Sequence, residues 1–342
     1  MIYVNLLLVF ICIVFIHEFG HYFFARIFKA EVTDFSIGFG KPIFKFIDKN
    51  NTVWKISPIL LGGYVKIKGL DSVFQKNQNQ EVGSFQSLNL YQKIFVLLAG
   101  SFFNILSAWI VLFCIFFFFG IASFAPIIGK IIENSSAQEN DLRVNDVIIS
   151  INESEIYEFS DIPRALGDSE YISLLIKRDN QLIKKNFQLK FNEEINRFVI
   201  GISSNSEPVI DKFNFYKSVN NSLLFIPTYY SASINFLKKS YRDNTLTDQL
   251  AGPIGIVKNA NQMMLDQVRG VLFLFIVISL FVGVFNLLPI PLLDGGHIVY
   301  FIIRRIFSNS LPEYVTRIYL AVGITIISFL FIVVTYNDIF YK

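Results

Sequence analysis

Cysteine is nearly absent from this 342-residue chain: there are two, Cys12 and Cys114, each inside an apolar run. Two such residues exclude a disulfide framework and read as small buried hydrophobes. Histidine is almost as scarce, with His17, His21 and His297 the whole complement. Charge is thin too. Charged residues make up 17% of the chain, with a formal net charge of +3, and no basic face interleaved with aromatics points to a nucleic-acid partner. No internal repeat is evident.

What fills the chain instead is hydrocarbon: 53% of residues are hydrophobic and 38 are phenylalanine. That composition belongs to a membrane protein. Four stretches are long and apolar enough to cross a bilayer core of about 30 Å, namely 2–28, 93–120, 268–301 and 314–336. The first lacks a basic leading region and a small-residue cleavage site, so it reads as a retained helix. From Arg26 to Lys93, both included, the chain carries ten Lys or Arg against five Asp or Glu, and Arg304, Arg305 and Arg317 flank the loop after the third stretch. The positive-inside rule places both loops in the cytoplasm, and the N-terminus, the 121–267 segment and the C-terminus outside.

Residues 31–69 alternate β-branched and aromatic residues with Gly, Pro and Asn-Asn turn signals, which predicts hairpins. A polar stretch, QKNQNQEVGS, follows and is expected to be mobile, and the second membrane helix opens near Tyr91. Residues 124–204 read as a separate soluble module. Within it PIIGKII and DVIISIN are short strands, SDIPRAL is a short helix capped by Ser160 or Asp161, and two strands meet at Arg178-Asp179-Asn180. Residues 211–240 mix aromatic and aliphatic with polar positions, as an amphipathic helix at a membrane surface would.

The chemistry lies in HEFGH at 17–21. His17 and His21 are four apart, so on a helix they share one face and can grip one metal ion, with Glu18 placed to take a proton from a water. HExxH alone is a short motif, but burying so polar a cluster in an apolar helix costs several kcal/mol unless a partner such as zinc is present. The plainer alternative is packing residues satisfied by neighbouring helices. A zinc protease site needs a third protein ligand, and FNLLPIPLLDGGH at 285–297 offers two, Asp294 and His297. Pro289, Pro291, Gly295 and Gly296 break the helix there, and unwound backbone at membrane depth is tolerated only inside protein or beside a wet cavity. This segment is therefore expected to face the first helix.

HEFGH followed by NLLPIPLLDGG closely resembles the site-2 protease family of intramembrane zinc metalloproteases, in particular the bacterial regulator-of-sigma-E protease group. GFG at 38–40, LGGYVKIKG at 61–69, AGSFFN at 99–104 and AGPIGI at 251–256 extend the resemblance over nearly the whole chain. It implies an α-helical polytopic membrane protein with about four transmembrane helices, a membrane-associated β-hairpin region and one inserted extracytoplasmic PDZ-like α+β domain. The expected divisions are the first transmembrane helix at 1–30, the cytoplasmic-side β-hairpin region and polar loop at 31–92, and the second transmembrane helix at 93–120. The PDZ-like domain follows at 121–205, an amphipathic connecting region at 206–267 and the last two helices at 268–342. The resemblance further implies that His17, His21 and Asp294 bind zinc, that Glu18 is the general base and that Asn286 holds the substrate or its developing oxyanion. The host would be the bacterial inner membrane.

A helical peptide bond is shielded by its own hydrogen bonds, so a protease within the membrane must unwind its substrate. An exposed strand edge in 31–69 suits that task by β-addition, with Gly38, Phe39, Gly40, Gly62, Gly63 and Tyr64 as expected substrate-binding positions. A plain surface sheet with tight turns is the alternative. The PDZ-like match is loose, with Asn140-Asp141-Leu142 and Asn145-Asp146 where such domains often carry Ala-Gly-Leu and Gly-Asp, so a peptide-terminus binder and a size filter both remain open. Expected substrates are single-span membrane proteins, such as anti-sigma factors or remnant signal peptides. A transporter and a catalytically silent scaffold are the other classes; the lack of an inverted repeat weighs against the first, and the intact motifs weigh against the second.

Overall fold

Helix α1 runs from Ile2 to Ile27. At 1.5 Å per residue its 26 residues span about 39 Å, enough to cross a bilayer. It stops where Lys29 turns left-handed (φ 63°) and Ala30 N–H reaches back to Ala25 O at 2.8 Å, closing the last carbonyls. The computed structural model describes residues 2–70, 81–192, 197–204, 209–243, 267–307 and 312–340. The chain forms two units: Met1–Cys114 with Val219–Lys342, and Ile115–Ser218.

After α1 come β1 (Val32–Phe39), β2 (Phe44–Ile47), β3 (Val53–Ile56) and β4 (Ile59–Ile67). They form one sheet in the order β2-β3-β1-β4. Only β2 and β3 make the expected hairpin. β3 lies parallel to β1, which also pairs antiparallel with β4, so neither β1–β2 nor β3–β4 is a paired neighbour. Asp48 fixes the hairpin turn: its carboxylate accepts from the Asn50 and Thr52 N–H groups at 2.8 and 3.0 Å, from Trp54 Nε1 at 2.9 Å and from the Tyr22 hydroxyl of α1 at 3.2 Å. Burial pushes the Asp48 pKa up, but these donors outweigh it and hold the carboxyl below its ordinary value. The Phe35 ring, 1% exposed, stacks on Trp54 at 4.3 Å and meets Phe15 of α1 edge-on at 5.6 Å. The sheet is thereby seated against α1, with β4 as an edge strand. Most of the expected mobile polar stretch lies outside the described residues.

Helix α2 (Leu90–Cys114) opens on a reciprocal cap, Asn89 Oδ1 accepting from Gln92 N–H and Gln92 Oε1 from Asn89 N–H, both at 2.9 Å. It continues as a π turn, Ile115–Phe119. The second unit then holds β5 (Ile121–Ser123), β6 (Ile128–Ile131), α3 (Ser136–Glu139), β7 (Val147–Ile151), β8 (Ser154–Glu155), α4 (Ile162–Leu166), β9 (Tyr171–Arg178) and β10 (Gln181–Gln188). It ends with β11 (Lys190–Asn192), β12 (Arg197–Val199), β13 (Ile202–Ser204) and β14 (Val209–Asp211). A four-stranded sheet, β10-β9-β7-β8, packs Ile148, Ile151, Leu174 and Ile176, all fully buried, into one core with Ile128. Asp179 and Asn180 both take positive φ, 48° and 65°, the geometry that joins twisted antiparallel strands with two residues. Asp161, one of the two expected helix caps, stands at the N-cap of α4 without a side-chain bond to that helix, and its carboxylate accepts from the Tyr157 and Glu158 N–H groups.

Helix α5 (Phe215–Arg242) runs unbroken through Pro227. AGPIGI at 251–256 lies outside the described residues. Helix α6 (Gln267–Phe285), α7 (Asp294–Ile306) and α8 (Glu313–Phe340) complete the chain. Among the described residues four helices are long and apolar enough to span a membrane: Val4–Ile27, Leu90–Phe119, Val268–Phe285 and Glu313–Asn337. This is a polytopic membrane protein with a β region. The third apolar stretch, expected to reach 301, splits in two because Pro289 and Pro291 interrupt it and Leu292 takes φ 80°. The turn is held by Gly295 N–H donating to Asn286 O at 2.8 Å and by the Tyr319 hydroxyl of α8 donating to Gly296 O at 2.7 Å.

In the second unit Asp146, 1% exposed, accepts from Arg178 Nε at 2.7 Å, Arg178 Nη2 at 2.6 Å and Arg143 N–H at 2.8 Å. Removing one partner of a buried pair strands the other. Asp146→Ala should destabilise this unit by about 3 kcal/mol, read as proteolytic cleavage within residues 121–211 at lower urea concentrations than the unaltered protein requires.

Candidate metal centre

His17 and His21 sit one helical turn apart on α1, with rings edge-to-face at 4.9 Å. Their Nε2 atoms are 3.2 Å apart. Asp294, the first residue of α7, brings Oδ2 to 3.2 Å from His17 Nε2 and 3.4 Å from His21 Nε2. Among the described residues these three form the cluster of donor atoms all within 4.8 Å of one another.

The donor set fits a metal ion. Asp294 Oδ2 is buried without a hydrogen-bond partner, and three lone-pair atoms aimed at one point repel unless a cation lies between them. An ion roughly 2.0–2.1 Å from nitrogen and oxygen ligands in a tetrahedron sets neighbouring donors about 3.3 Å apart, which matches the observed triangle. Zinc suits two imidazoles and a carboxylate. Asp294 also lies in the first turn of α7, where unpaired N–H groups favour a carboxylate.

The remaining expected residues divide. Glu18 lines the same cleft, a cavity of about 260 Å³, together with Val65 of β4. Asn286 places Nδ2 3.2 Å from His17 Nε2. His297, the other candidate third ligand, lines the cleft, but its Nδ1 meets Leu293 O at 2.9 Å. Gly63 and Tyr64 of β4 line the cleft; a Cβ on Gly63 would lie 2.9 Å from Val14 Cγ1 and 3.2 Å from Glu18 Cγ, so the strand can lie this close to α1 only without a side chain. Gly38, Phe39, Gly40 and Gly62 are not cleft-lining residues, though the Phe39 ring stacks on Tyr64 at 6.2 Å.

Three contributions from α2 escaped sequence reasoning. Val96 O faces His21 Nδ1 at 2.8 Å, which puts the proton there and leaves the Nε2 lone pair free. Asn104 faces His17 Nδ1 at 3.2 Å. Gly100 is the floor beneath both rings: a Cβ there would lie 2.5 Å from His21 Nε2 and 2.8 Å from His17 Nε2. A signal was present for Asn104, a buried amide midway along an apolar helix. No local signal marks a backbone carbonyl.

The model of peptidase family M50 matches residues 5–330. A protein of Rickettsia conorii, named as a candidate zinc metalloprotease, is 33% identical over 96% of this chain and 95% of its own length. Proteins with the same designation from Campylobacter jejuni and Fusobacterium nucleatum are 32% and 30% identical, each over 96% of this chain and over 90% and 95% of their own lengths.

Gly100→Ala should push the two imidazoles off the metal position. The expected result is a metal affinity lowered roughly 10- to 100-fold, as for other losses of ligand support, with helix content by circular dichroism unchanged; full metal retention would contradict the packing described.

Proposed function

The chain belongs to peptidase family M50 and is a zinc metalloprotease, and from that premise we propose that it hydrolyses peptide bonds within or near the transmembrane segments of single-span membrane proteins. In this reading His17, His21 and Asp294 hold the zinc ion. The observation that carries it is the triangle of lone-pair atoms at 3.2–3.4 Å, on α1 and at the foot of a broken helix, with Glu18 in the same cleft.

Zinc held there supplies Lewis-acid polarisation of the scissile carbonyl and lowers the pKa of the attacking water. Glu18 takes the proton from that water and hands it to the departing amide nitrogen. Asn286 donates from Nδ2 to the carbonyl oxygen as negative charge gathers on it, a neutral donor that needs no proton of its own to move. Gly63 and Tyr64 line the cleft on an edge strand, which supports capture of an unwound substrate alongside β4. Gly38, Phe39 and Gly40 at the end of β1 and Gly62 on β4 then serve the shape of this strand pair and the Phe39–Tyr64 stack.

The protein's place is the bacterial inner membrane, with the second unit, read as a PDZ-like domain, outside the cytoplasm; the ten Lys or Arg from Arg26 to Lys93 inclusive support that orientation. The role is regulated intramembrane proteolysis, with anti-sigma factors or remnant signal peptides as the substrate class.

Purified protein and its variants, incubated with a model single-span substrate, test the reading. Glu18→Gln should keep stoichiometric zinc and lose at least about 10²-fold in cleavage rate, the usual worth of a positioned base. Cleavage by Glu18→Gln at the wild-type rate would remove Glu18 from the chemistry. His17→Ala and Asp294→Ala should each lose both zinc and cleavage, and zinc retained at full occupancy in either would break the ligand assignment.

A further inference from the structure

We infer that Asn104 is a positioning residue that holds His17 in its metal-binding tautomer by accepting a hydrogen bond from Nδ1. The inference rests on the assignment of His17 Nε2 to zinc. Asn104 is fully buried on α2. Its backbone carbonyl accepts from two hydroxyls at 2.9 Å each, Ser107 on the same helix and Ser279 on α6, and those hydroxyls are 3.3 Å from each other. The residue is therefore fixed from behind, and its amide is presented to α1.

A count of protons orients that amide. With Nδ2 toward His17 Nδ1 at 3.2 Å, Asn104 Oδ1 is buried without a partner. His17 Nε2 must offer a lone pair toward the point it shares with His21 Nε2 and Asp294 Oδ2, so the proton of the neutral ring resides on Nδ1. Two N–H groups would then face each other. Half a turn of the amide about its last torsion puts Oδ1 opposite Nδ1, converts that clash into an N–H···O bond and places the oxygen with a donor. Oxygen and nitrogen of an amide are assigned by their bonding network, and a proton on His17 Nδ1 selects the assignment that turns Oδ1 toward it.

Asn104 is thus to His17 what the Val96 carbonyl is to His21. An outer carboxylate often performs this service for metal-bound imidazoles. Here Glu18 and Asp294 already place two carboxylates in the cleft, and a neutral acceptor orients the ring without adding a third buried negative charge.

The test uses the full-length protein in detergent with Asn104→Leu, which removes the acceptor at similar volume, and Asn104→Asp, which restores one. Zinc affinity is measured by chelator competition, ligand geometry by visible absorption of the cobalt(II)-loaded protein, and fold by melting of the metal-free protein. Asn104→Leu should bind zinc roughly 10- to 100-fold more weakly, with altered cobalt bands and an unchanged metal-free melt, and Asn104→Asp should recover the affinity. Wild-type affinity and cobalt bands in Asn104→Leu, or an Asn104→Asp variant as weak as Asn104→Leu, overturns the inference. If Asn104→Leu does not fold, Asn104→Asp decides alone: affinity equal to or tighter than wild type, with shifted cobalt bands, supports it, and any other result opposes it. His17→Ala run in parallel separates the two levels, because zinc retained by that variant defeats the ligand assignment itself.

Discussion

Three lone-pair atoms, two nitrogens and one oxygen, point at a common centre from helices that otherwise present hydrocarbon. Left alone they repel, and water cannot enter an apolar interior freely to relieve them. That constraint explains why the surrounding structure is so specific. Both histidine rings pack against Gly100 of α2, the carboxylate rides at the first turn of α7, and the chain between α6 and α7 is bent by Pro289 and Pro291 to deliver it there. Each device is a way to hold like-natured atoms together until a cation joins them.

The same logic accounts for the β-sheet. A bare helix bearing Glu18 would show that carboxyl group to lipid or to bulk water, depending on depth. Seating β4 against α1 with Gly63 at the contact closes that side with backbone. Asp48, joined at once to Tyr22 and Trp54, fixes the hairpin relative to α1. Sheet and helix together form one wall of the cleft.

Much of this was written in local sequence. A four-residue spacing of histidines in an apolar run, and a proline-broken stretch ending in Asp-Gly-Gly, each have a mechanism readable without coordinates. The apolar spans, apart from the break in the third, and strands β6, β7, β9 and β10 of the second unit follow from periodicity and turn residues. What could not be read is nonlocal. The parallel pairing of β1 with β3 depends on which edge the β2–β3 hairpin offers, and consecutive strands give no warning that they will not pair. The choice between Asp294 and His297, three residues apart, depends on where α7 begins; starting the helix at Asp294 sends one side chain toward α1 and leaves the other bonded to Leu293. Val96 supports His21 through its backbone, to which side-chain identity is nearly irrelevant.

Both imidazoles lean on α2, one through the carbonyl of residue 96 and the other through the amide of residue 104, eight positions and about 12 Å apart along the helix at 1.5 Å per residue. Two anchors at that separation fix translation as well as rotation. Sliding α2 by a single residue, or prying it from α1, would dismantle both supports at once. The seam between α1 and α2 is therefore held shut, and the rest of the cleft's lining comes chiefly from β4 and from α7 with the turn that precedes it.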